Sequence, residues 1–199
     1  MAFLIVVAVV VGFTLWPKSI ANLGKNNQMA TLGVYSQWQA GNVVVLVRHA
    51  ERCDRSSNPC LGPADGITRV GNDSGIEAGV GFKNLGLSNT DILASPLHRT
   101  AQTATAIFGK AVPEQDWLVS CESGNMLTDI VAHKVDHRNL VLVTHSGCIG
   151  GLEKQLGYPH ADTAEYTSSL FISLGTDKQP KILGLINVQD WPATLNKQP

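Results

Sequence analysis

The stretch Val43-Val44-Val45-Leu46-Val47-Arg48-His49 decides the fold, because five consecutive apolar residues lead directly into two polar ones. An uninterrupted apolar run is typical of a strand that is covered on both faces. A second run, Leu140-Val141-Leu142-Val143, leads in the same way into Thr144-His145-Ser146-Gly147. We therefore expect both imidazoles at one edge of a parallel sheet, where α/β proteins bind their ligands.

Around these two runs the sequence alternates predicted strands with predicted helices. Further strands are predicted at 91–94, 115–119, 168–174 and 181–188, with the last two pairing as an antiparallel hairpin. Helices are predicted at 68–85, 96–108, 126–135 and 148–156, the first of them capped by Thr68. This alternation predicts an α/β fold of three αβα layers, in which a mainly parallel central sheet carries helices on both faces.

Composition restricts the class of protein. The chain has 199 residues, of which 44% are hydrophobic and 16% charged, and its formal net charge is −1. These values are typical of a globular protein with one substantial core. We predict no nucleic-acid partner, because the charge is near zero and no basic stripe with interleaved aromatic residues is present.

The N-terminal segment 1–21 differs from the rest of the chain. Ala2 to Trp16 is almost wholly apolar and would span roughly 22 Å as a helix, which is short of the ~30 Å hydrocarbon core of a bilayer. Ser19-Ile20-Ala21 resembles a cleavage site. We expect 1–21 to be a signal peptide or a short membrane anchor with membrane contact through residues 2–16. A linker and N-terminal helix at 22–41 and a single α/β domain at 42–199 would follow.

Four cysteines are consistent with an exported protein. Even numbers of cysteines in exported proteins indicate disulfides, and four cysteines allow three pairings. The simplest of the three joins Cys53 to Cys60 and Cys121 to Cys148. The alternative is that all four cysteines are buried free thiols. No C-x-x-C motif is present, so we expect no structural zinc.

The two histidines are accompanied by arginines. Arg48 and Arg52 flank His49, and Arg99 lies in Ser95-Pro96-Leu97-His98-Arg99-Thr100. Such a concentration of hydrogen-bond donors at one edge of a sheet predicts a site for a phosphoryl group. One guanidinium group can donate hydrogen bonds to two phosphate oxygens at once. For Arg52, a surface ion pair with Asp54 or Glu51 is the alternative.

Together these motifs resemble the histidine phosphatase superfamily, relatives of the phosphoglycerate mutases, over residues 42–188. Gly66-Ile67-Thr68-x-x-Gly71 also fits. The resemblance implies that His49 is the nucleophile, and that Arg48, Arg52, Arg99 and His145 surround the phosphoryl oxygens. It implies no metal or other cofactor. His133 and His137 lie one helical turn apart but lack a third ligand, so we interpret them as a solvated surface.

The general acid departs from the pattern of that superfamily. Many members carry L-x-E-x-x-x-G, but here Leu118 to Gly124 has Ser120 at the position of the glutamate. Glu122 is the nearest carboxyl group and is our candidate acid, with Glu51 and Asp54 as alternatives. A general acid contributes on the order of 10²–10⁴-fold in rate.

Within the superfamily, the stretch from Arg48 to Ser56 with Cys60 and Gly66-Ile67-Thr68 is similar to the lipopolysaccharide core heptose(II)-phosphate phosphatases. That resemblance implies an exported phosphomonoesterase whose substrate is a phosphorylated sugar of lipopolysaccharide. Two alternatives stay open. One is a protein phosphohistidine phosphatase or an acid phosphatase of broad specificity, and the other is a non-catalytic module that only binds phosphate.

Overall fold

A computed structural model describes residues 18–121 and 124–195. Its sheet has five strands, Val43–Arg48 (β1), Thr90–Ala94 (β2), Asn139–Thr144 (β3), Ser169–Ser173 (β4) and Lys181–Ile186 (β5), in the order β2-β3-β1-β4-β5. β1 pairs in parallel with β3, and β3 with β2, while β4 is antiparallel to both of its neighbours. Only β4 therefore opposes the common strand direction, and the predicted mainly parallel sheet is confirmed.

The register of the sheet brings the two motif-bearing strands level. Arg48, the last residue of β1, pairs with Thr144, the last residue of β3. The backbone N–H of His49 donates to the carbonyl of Thr144 at 2.9 Å. Both histidines therefore leave the sheet at the same point, as the two apolar runs predict.

Helices cover both faces of the sheet, which confirms the three-layer prediction. Residues of β1 alternate between the two cores, with Val43, Val45 and Val47 on one side and Val44 and Leu46 on the other. The helices are Gln28–Thr31 (α1), Val34–Gln39 (α2), Arg69–Leu85 (α3), His98–Phe108 (α4), Met126–His133 (α5) and Ser146–Gln155 (α6). The first four contribute to the first core, and α5 and α6 contribute to the second.

The start of α3 is fixed by the predicted cap. The Thr68 side-chain oxygen accepts a hydrogen bond from the backbone N–H of Gly71 at 2.9 Å. A Cβ on Gly71 would lie 2.9 Å from the backbone nitrogen of Glu51, so a larger residue there would displace the loop that follows β1. This contact accounts for the Thr68-x-x-Gly71 spacing in the sequence.

The predicted strand at 115–119 is wrong. Asp116–Leu118 is one turn of 3₁₀ helix, and just before it an isolated bridge joins Glu114 to Ala94 of β2. Leu118 instead packs into the second core. A short stretch of apolar residues fits a strand and a tight turn equally well, so the pattern alone could not separate them.

The last residue of the predicted signal segment and the residues that follow it pair with the last strand. The Leu185 N–H donates to the carbonyl of Ala21, and the Leu23 N–H donates to the carbonyl of Leu185, both at 2.8 Å. The predicted membrane contact at 2–16 lies outside the described residues. Within 18–121 and 124–195, the structure contains no helix that is both long and apolar enough to span a bilayer.

Both disulfides of the simplest pairing are present. Cys53 bonds to Cys60 with their Cα atoms 5.4 Å apart, and Cys121 bonds to Cys148 with theirs 5.0 Å apart. The first closes the loop that follows Arg52 and carries Asp54 and Arg55. The second ties the segment after the 3₁₀ turn to the first turn of α6. The predicted pairing is confirmed.

Removing the disulfides is expected to destabilise the fold unequally. A Cys121→Ser, Cys148→Ser double variant should lose about 3 to 4 kcal/mol of unfolding free energy, because the bond closes a separation of 27 residues. A Cys53→Ser, Cys60→Ser variant should lose about 2 to 3 kcal/mol, since its separation is 7 residues. Urea unfolding under oxidising conditions measures both losses. Equal stability of all three proteins would contradict this expectation.

Candidate active site

His49 and His145 lie side by side beyond the ends of β1 and β3. Their ring centroids are 5.4 Å apart. Both line a cavity of about 310 Å³, whose wall also contains the guanidinium-bearing residues Arg48, Arg52, Arg55 and Arg99. The structure therefore brings together all of the predicted phosphate-binding residues.

The backbone fixes which nitrogen of His49 carries the proton. The Nδ1 atom lies 2.8 Å from the carbonyl oxygen of Ala50. A carbonyl can only accept, so Nδ1 must be the protonated nitrogen of the neutral ring. Among the described residues none forms a hydrogen bond to Nε2, which leaves that lone pair available for attack on an electrophile.

Packing holds His49 in this orientation. Only 4% of the residue is exposed. The backbone N–H of the next residue, Ala50, donates to the Thr103 hydroxyl at 2.9 Å, which anchors the turn to α4. The His49 ring also contacts the ring of Tyr166, with centroids 5.6 Å apart. The imidazole is therefore positioned before any substrate arrives.

Burial keeps both imidazoles neutral. Desolvation lowers the pKa of His49 to about 3, and the neighbouring His145 ring and the guanidinium groups of Arg99 and Arg48 act in the same direction. Desolvation lowers the pKa of His145 to about 4, with Arg99 and Arg52 contributing. A nucleophilic imidazole must be unprotonated, so this environment suits His49 for nucleophilic attack at neutral pH.

The arginines are held by backbone and aromatic contacts. The Nη1 atom of Arg48 donates to the carbonyl of Ala164 at 2.5 Å, and its guanidinium lies 3.9 Å from the centre of the Tyr166 ring. Arg99 lies in the first turn of α4. Burial lowers the pKa of both guanidinium groups. The negative charge of a bound anion would offset the cost of burying these positive charges.

Three buried nitrogens of the site lack partners within the described part of the chain. They are Nε of Arg48, Nε of Arg99 and Nδ1 of His145. The other ring nitrogen of His145 lies 3.0 Å from the Ser95 hydroxyl. Buried polar groups are nearly always hydrogen-bonded in native proteins, so three unpaired ones on residues lining one cavity indicate a site for an oxyanion.

Arg52 is placed both to bind phosphate and to form the surface ion pair with Asp54. It lines the cavity, and its Nε atom donates to Oδ1 of Asp54 at 2.7 Å, with a second bond from Nη2 to Oδ2. The ion pair is partly exposed, so it contributes little stability by itself. It does hold the guanidinium at the edge of the cavity.

Neither alternative acid is suited to donate a proton. Hydrogen bonds from Thr68 at 2.6 Å and Asn58 at 2.9 Å lower the pKa of Glu51 below its usual range. The hydrogen bond from Arg52 lowers the pKa of Asp54 in the same way. Both groups are thus ionised at neutral pH. The candidate acid Glu122 lies outside the described residues.

Three residues of this site were not predicted from the sequence. Tyr166 contacts both Arg48 and His49, Ser95 bonds to His145, and Arg55 lines the cavity. Tyr166 lies in an irregular loop far along the chain, so no periodic pattern marks it. Arg55 and Ser95 stand inside motifs that had been identified, and their side chains could have been considered there.

No metal centre is visible in the part of the chain that the structure describes. Residues 18–121 and 124–195 contain no group of three side chains able to hold a metal ion. The His133 ring stacks on Trp117 with centroids 4.7 Å apart, and its Nδ1 lies 2.8 Å from the carbonyl of Asp129. His133 therefore has structural contacts of its own.

The buried environment of His49 leads us to expect a defined tautomer and a low pKa for its imidazole in NMR spectra. Heteronuclear NMR should show the Nδ1–H tautomer at neutral pH and no protonation down to about pH 5, where an ordinary histidine of pKa 6.5 is almost fully charged. Since the folded pKa is depressed, stability should fall as the pH drops from about 6.5 towards 3. Titration of the His49 signal near pH 6.5 would contradict the described burial.

Comparison with solved structures places this architecture among the phosphoglycerate mutase-like folds. The phosphoserine phosphatase of Entamoeba histolytica matches with a TM-score of 0.56 at 16% identity, covering 75% of this chain and 98% of that one. The phosphoglycerate mutase of Bacillus anthracis matches with a TM-score of 0.55 at 13% identity, covering 78% and 98%. At these identities the similarity establishes the fold.

Curated sequences give a narrower similarity. Lipopolysaccharide core heptose(II)-phosphate phosphatases match at 36% identity over 114 residues in Salmonella arizonae and at 37% over 127 residues in Escherichia coli. These matches cover 56% and 62% of this chain, and the same shares of the relatives. The chain thus spans little more than half the length of these relatives. No family model matches it. The resemblance deduced from the motifs is confirmed.

Proposed function

We propose that this chain is a phosphomonoesterase that works through a phosphohistidine on His49. The observation that carries the proposal is the Nδ1 contact of His49 with the Ala50 carbonyl, which leaves Nε2 unprotonated inside a cavity lined by arginines. A pocket that only binds phosphate does not require a histidine held in one tautomer. A nucleophile does.

The reaction would proceed in two steps. In the first, Nε2 of His49 attacks phosphorus, a P–N bond forms, and the P–O bond to the leaving group breaks. In the second, water attacks phosphorus, a P–O bond forms and the P–N bond breaks, while the carboxylate of the deprotonated acid takes up the proton of the water. The products are inorganic phosphate and the free imidazole. Arg48, Arg99 and His145 would donate hydrogen bonds to the equatorial oxygens, where the transition-state charge is spread.

The proton for the leaving oxygen would come from Glu122. The neighbouring residue Cys121 supports this assignment. Cys121 is bonded to Cys148, and Cys148 lines the cavity. The low pKa of Glu51 and of Asp54 leaves these two carboxyl groups poorly suited to the task. An aryl phosphate needs little help from an acid, so its hydrolysis would survive the loss of Glu122.

The substrate we propose is a phosphorylated heptose of the lipopolysaccharide core. The names of the curated relatives support this class of substrate. We also propose export to the periplasm, with residues 1–21 as signal peptide or membrane anchor. Two disulfides favour an oxidising compartment, since such bonds rarely persist in the cytosol.

A substrate screen tests the proposal. The wild-type protein and His49→Ala are assayed for phosphate release from para-nitrophenyl phosphate, phosphorylated monosaccharides, phosphohistidine peptides and phosphorylated core oligosaccharide. We expect the wild type to hydrolyse the aryl phosphate and the core oligosaccharide, and the variant to hydrolyse neither. Absence of any hydrolysis by the wild type would favour the binding module. Preference for phosphohistidine peptides would favour the protein phosphatase.

A further inference from the structure

A second cavity adjoins the catalytic one. It has a volume of about 670 Å³ and shares Ser146 and Gly147 with the wall of the catalytic cavity. From there it follows α6 as far as Gln155 and is closed on the other side by the loop 161–164. We call it the flanking cavity. The carbonyl of Ala164 in that loop also accepts the hydrogen bond of Arg48, so the loop is anchored to an arginine of the catalytic cavity.

Glu153 is a buried carboxyl group in the wall of the flanking cavity. Only 2% of the residue is exposed, and its Oε1 atom has no hydrogen-bond partner among the described residues. Burial raises the pKa of Glu153 to about 7. A buried unpaired carboxyl is costly to a fold, and neither the catalytic chemistry nor the core requires one here. Its position is explained if a ligand supplies the missing hydrogen bonds.

Glycines keep space open along the helix between the catalytic cavity and Glu153. A Cβ on Gly150 would meet nothing within 4 Å, and one on Gly151 would meet only the Cys121 carbonyl at 3.7 Å. Packing therefore requires glycine at neither position, although glycine disfavours a helix interior. Ser146, Gly150 and Glu153 are spaced to share one helix face.

The two cavities differ in charge. The catalytic cavity is lined by four arginines, whereas the flanking cavity contains the carboxyl groups of Glu153 and Asp162, with Lys154 as its cationic residue. A phosphoryl group is attracted to the first and repelled by the acidic groups of the second. Carboxyl, amide and hydroxyl groups such as those of Glu153, Gln155 and Thr163 are suited to hydrogen-bond the hydroxyls of an uncharged polyol.

We propose that the flanking cavity binds the sugar that leaves from phosphorus, with Glu153 as the residue that hydrogen-bonds its hydroxyls and Gly150 as the position that gives it room. This inference rests on the proposed phosphatase function. It adds a location and a chemical class, an uncharged polyhydroxylated leaving group, to the catalytic site.

Two variants test whether the flanking cavity binds the sugar, one by changing its hydrogen-bonding group and the other by reducing its space. Glu153→Gln keeps the shape of the side chain but removes the carboxyl group, and Gly150→Leu adds a side chain whose Cβ would meet no atom within 4 Å. Glu77→Gln, on the exposed surface of α3, is the matched control. For each protein, kcat/KM is measured with phosphorylated core oligosaccharide and with para-nitrophenyl phosphate, and circular dichroism checks folding.

The ratio of kcat/KM for the oligosaccharide to kcat/KM for the aryl phosphate shows whether the flanking cavity binds the sugar. We expect Glu153→Gln to lower the oligosaccharide-to-aryl ratio roughly tenfold, because its NH2 group cannot accept the hydrogen bond that a carboxyl oxygen accepts at that position. Gly150→Leu should lower the ratio further, through KM. An unchanged ratio in both variants would overturn the sugar site while leaving the phosphatase intact. A wild type that cleaves only the aryl ester would also overturn it. A wild type that cleaves neither would refute the proposed function itself.

Discussion

His49→Ala is expected to lower kcat for para-nitrophenyl phosphate by on the order of 10⁴–10⁶-fold, because the variant has no atom to accept the phosphoryl group. The arginines and His145 would remain, so phosphate should still bind to the variant. The expected pattern is therefore loss of turnover with retained affinity for the anion. Steady-state kinetics measure the first, and isothermal titration with inorganic phosphate measures the second.

His98→Ala is the matched control for that experiment. His98 belongs to the same motif as Arg99, but it is exposed and lies 2.8 Å from the Asp65 carboxylate, outside the catalytic cavity. Its replacement should leave kcat within about twofold of wild type, as for most surface substitutions. Substantial turnover by His49→Ala would remove His49 from the role of nucleophile.

Arg99→Ala is expected to lower kcat/KM by roughly 10²–10⁴-fold, since fixed donors to the transferring phosphoryl group are the main catalytic device in such reactions. Its Nε atom is buried without a partner in the described structure, so its hydrogen-bonding capacity is available to the substrate. Arg99→Lys should recover only part of the loss, because an ammonium group cannot donate to two oxygens in the guanidinium geometry.

The control for Arg99 is Arg69→Ala, an exposed arginine in the first turn of α3 that is absent from the cavity wall. It should leave kcat/KM close to the wild-type value, and its salt dependence should match that of the wild type. Equal losses in the two variants would mean that general positive charge matters, and that Arg99 has no specific contact with the phosphoryl group.

The sequence predicted the elements whose signals are local and strong. The apolar runs that end at Arg48 and Thr144 became β1 and β3 in parallel register, and the polar residues that follow them met at one edge. Buried parallel strands tolerate only apolar residues over several positions, which makes such runs easy to recognise. The Thr68 cap is similarly local, since one hydroxyl three residues from Gly71 defines it.

The features that the sequence did not predict depend on tertiary contacts. Asp116–Leu118 forms a turn because Leu118 is drawn into the core beside α5 and α6. Tyr166 contacts His49 because β4 pairs antiparallel with β1, which brings the loop before β4 back to the end of β1. Neither effect leaves a periodic trace in the residues concerned. Glu153 likewise resembles an ordinary helix-surface residue until its burial is known.

Covalent trapping tests the central claim most directly. The protein is mixed with an aryl phosphate, quenched in alkali within milliseconds because phosphohistidine is acid-labile, and digested for mass spectrometry. We expect one phosphoryl group on the peptide that contains His49, which is absent in His49→Ala and disappears as turnover ends. A phosphoryl group on another residue, or turnover with no phosphorylated protein at any time, would contradict the proposed mechanism.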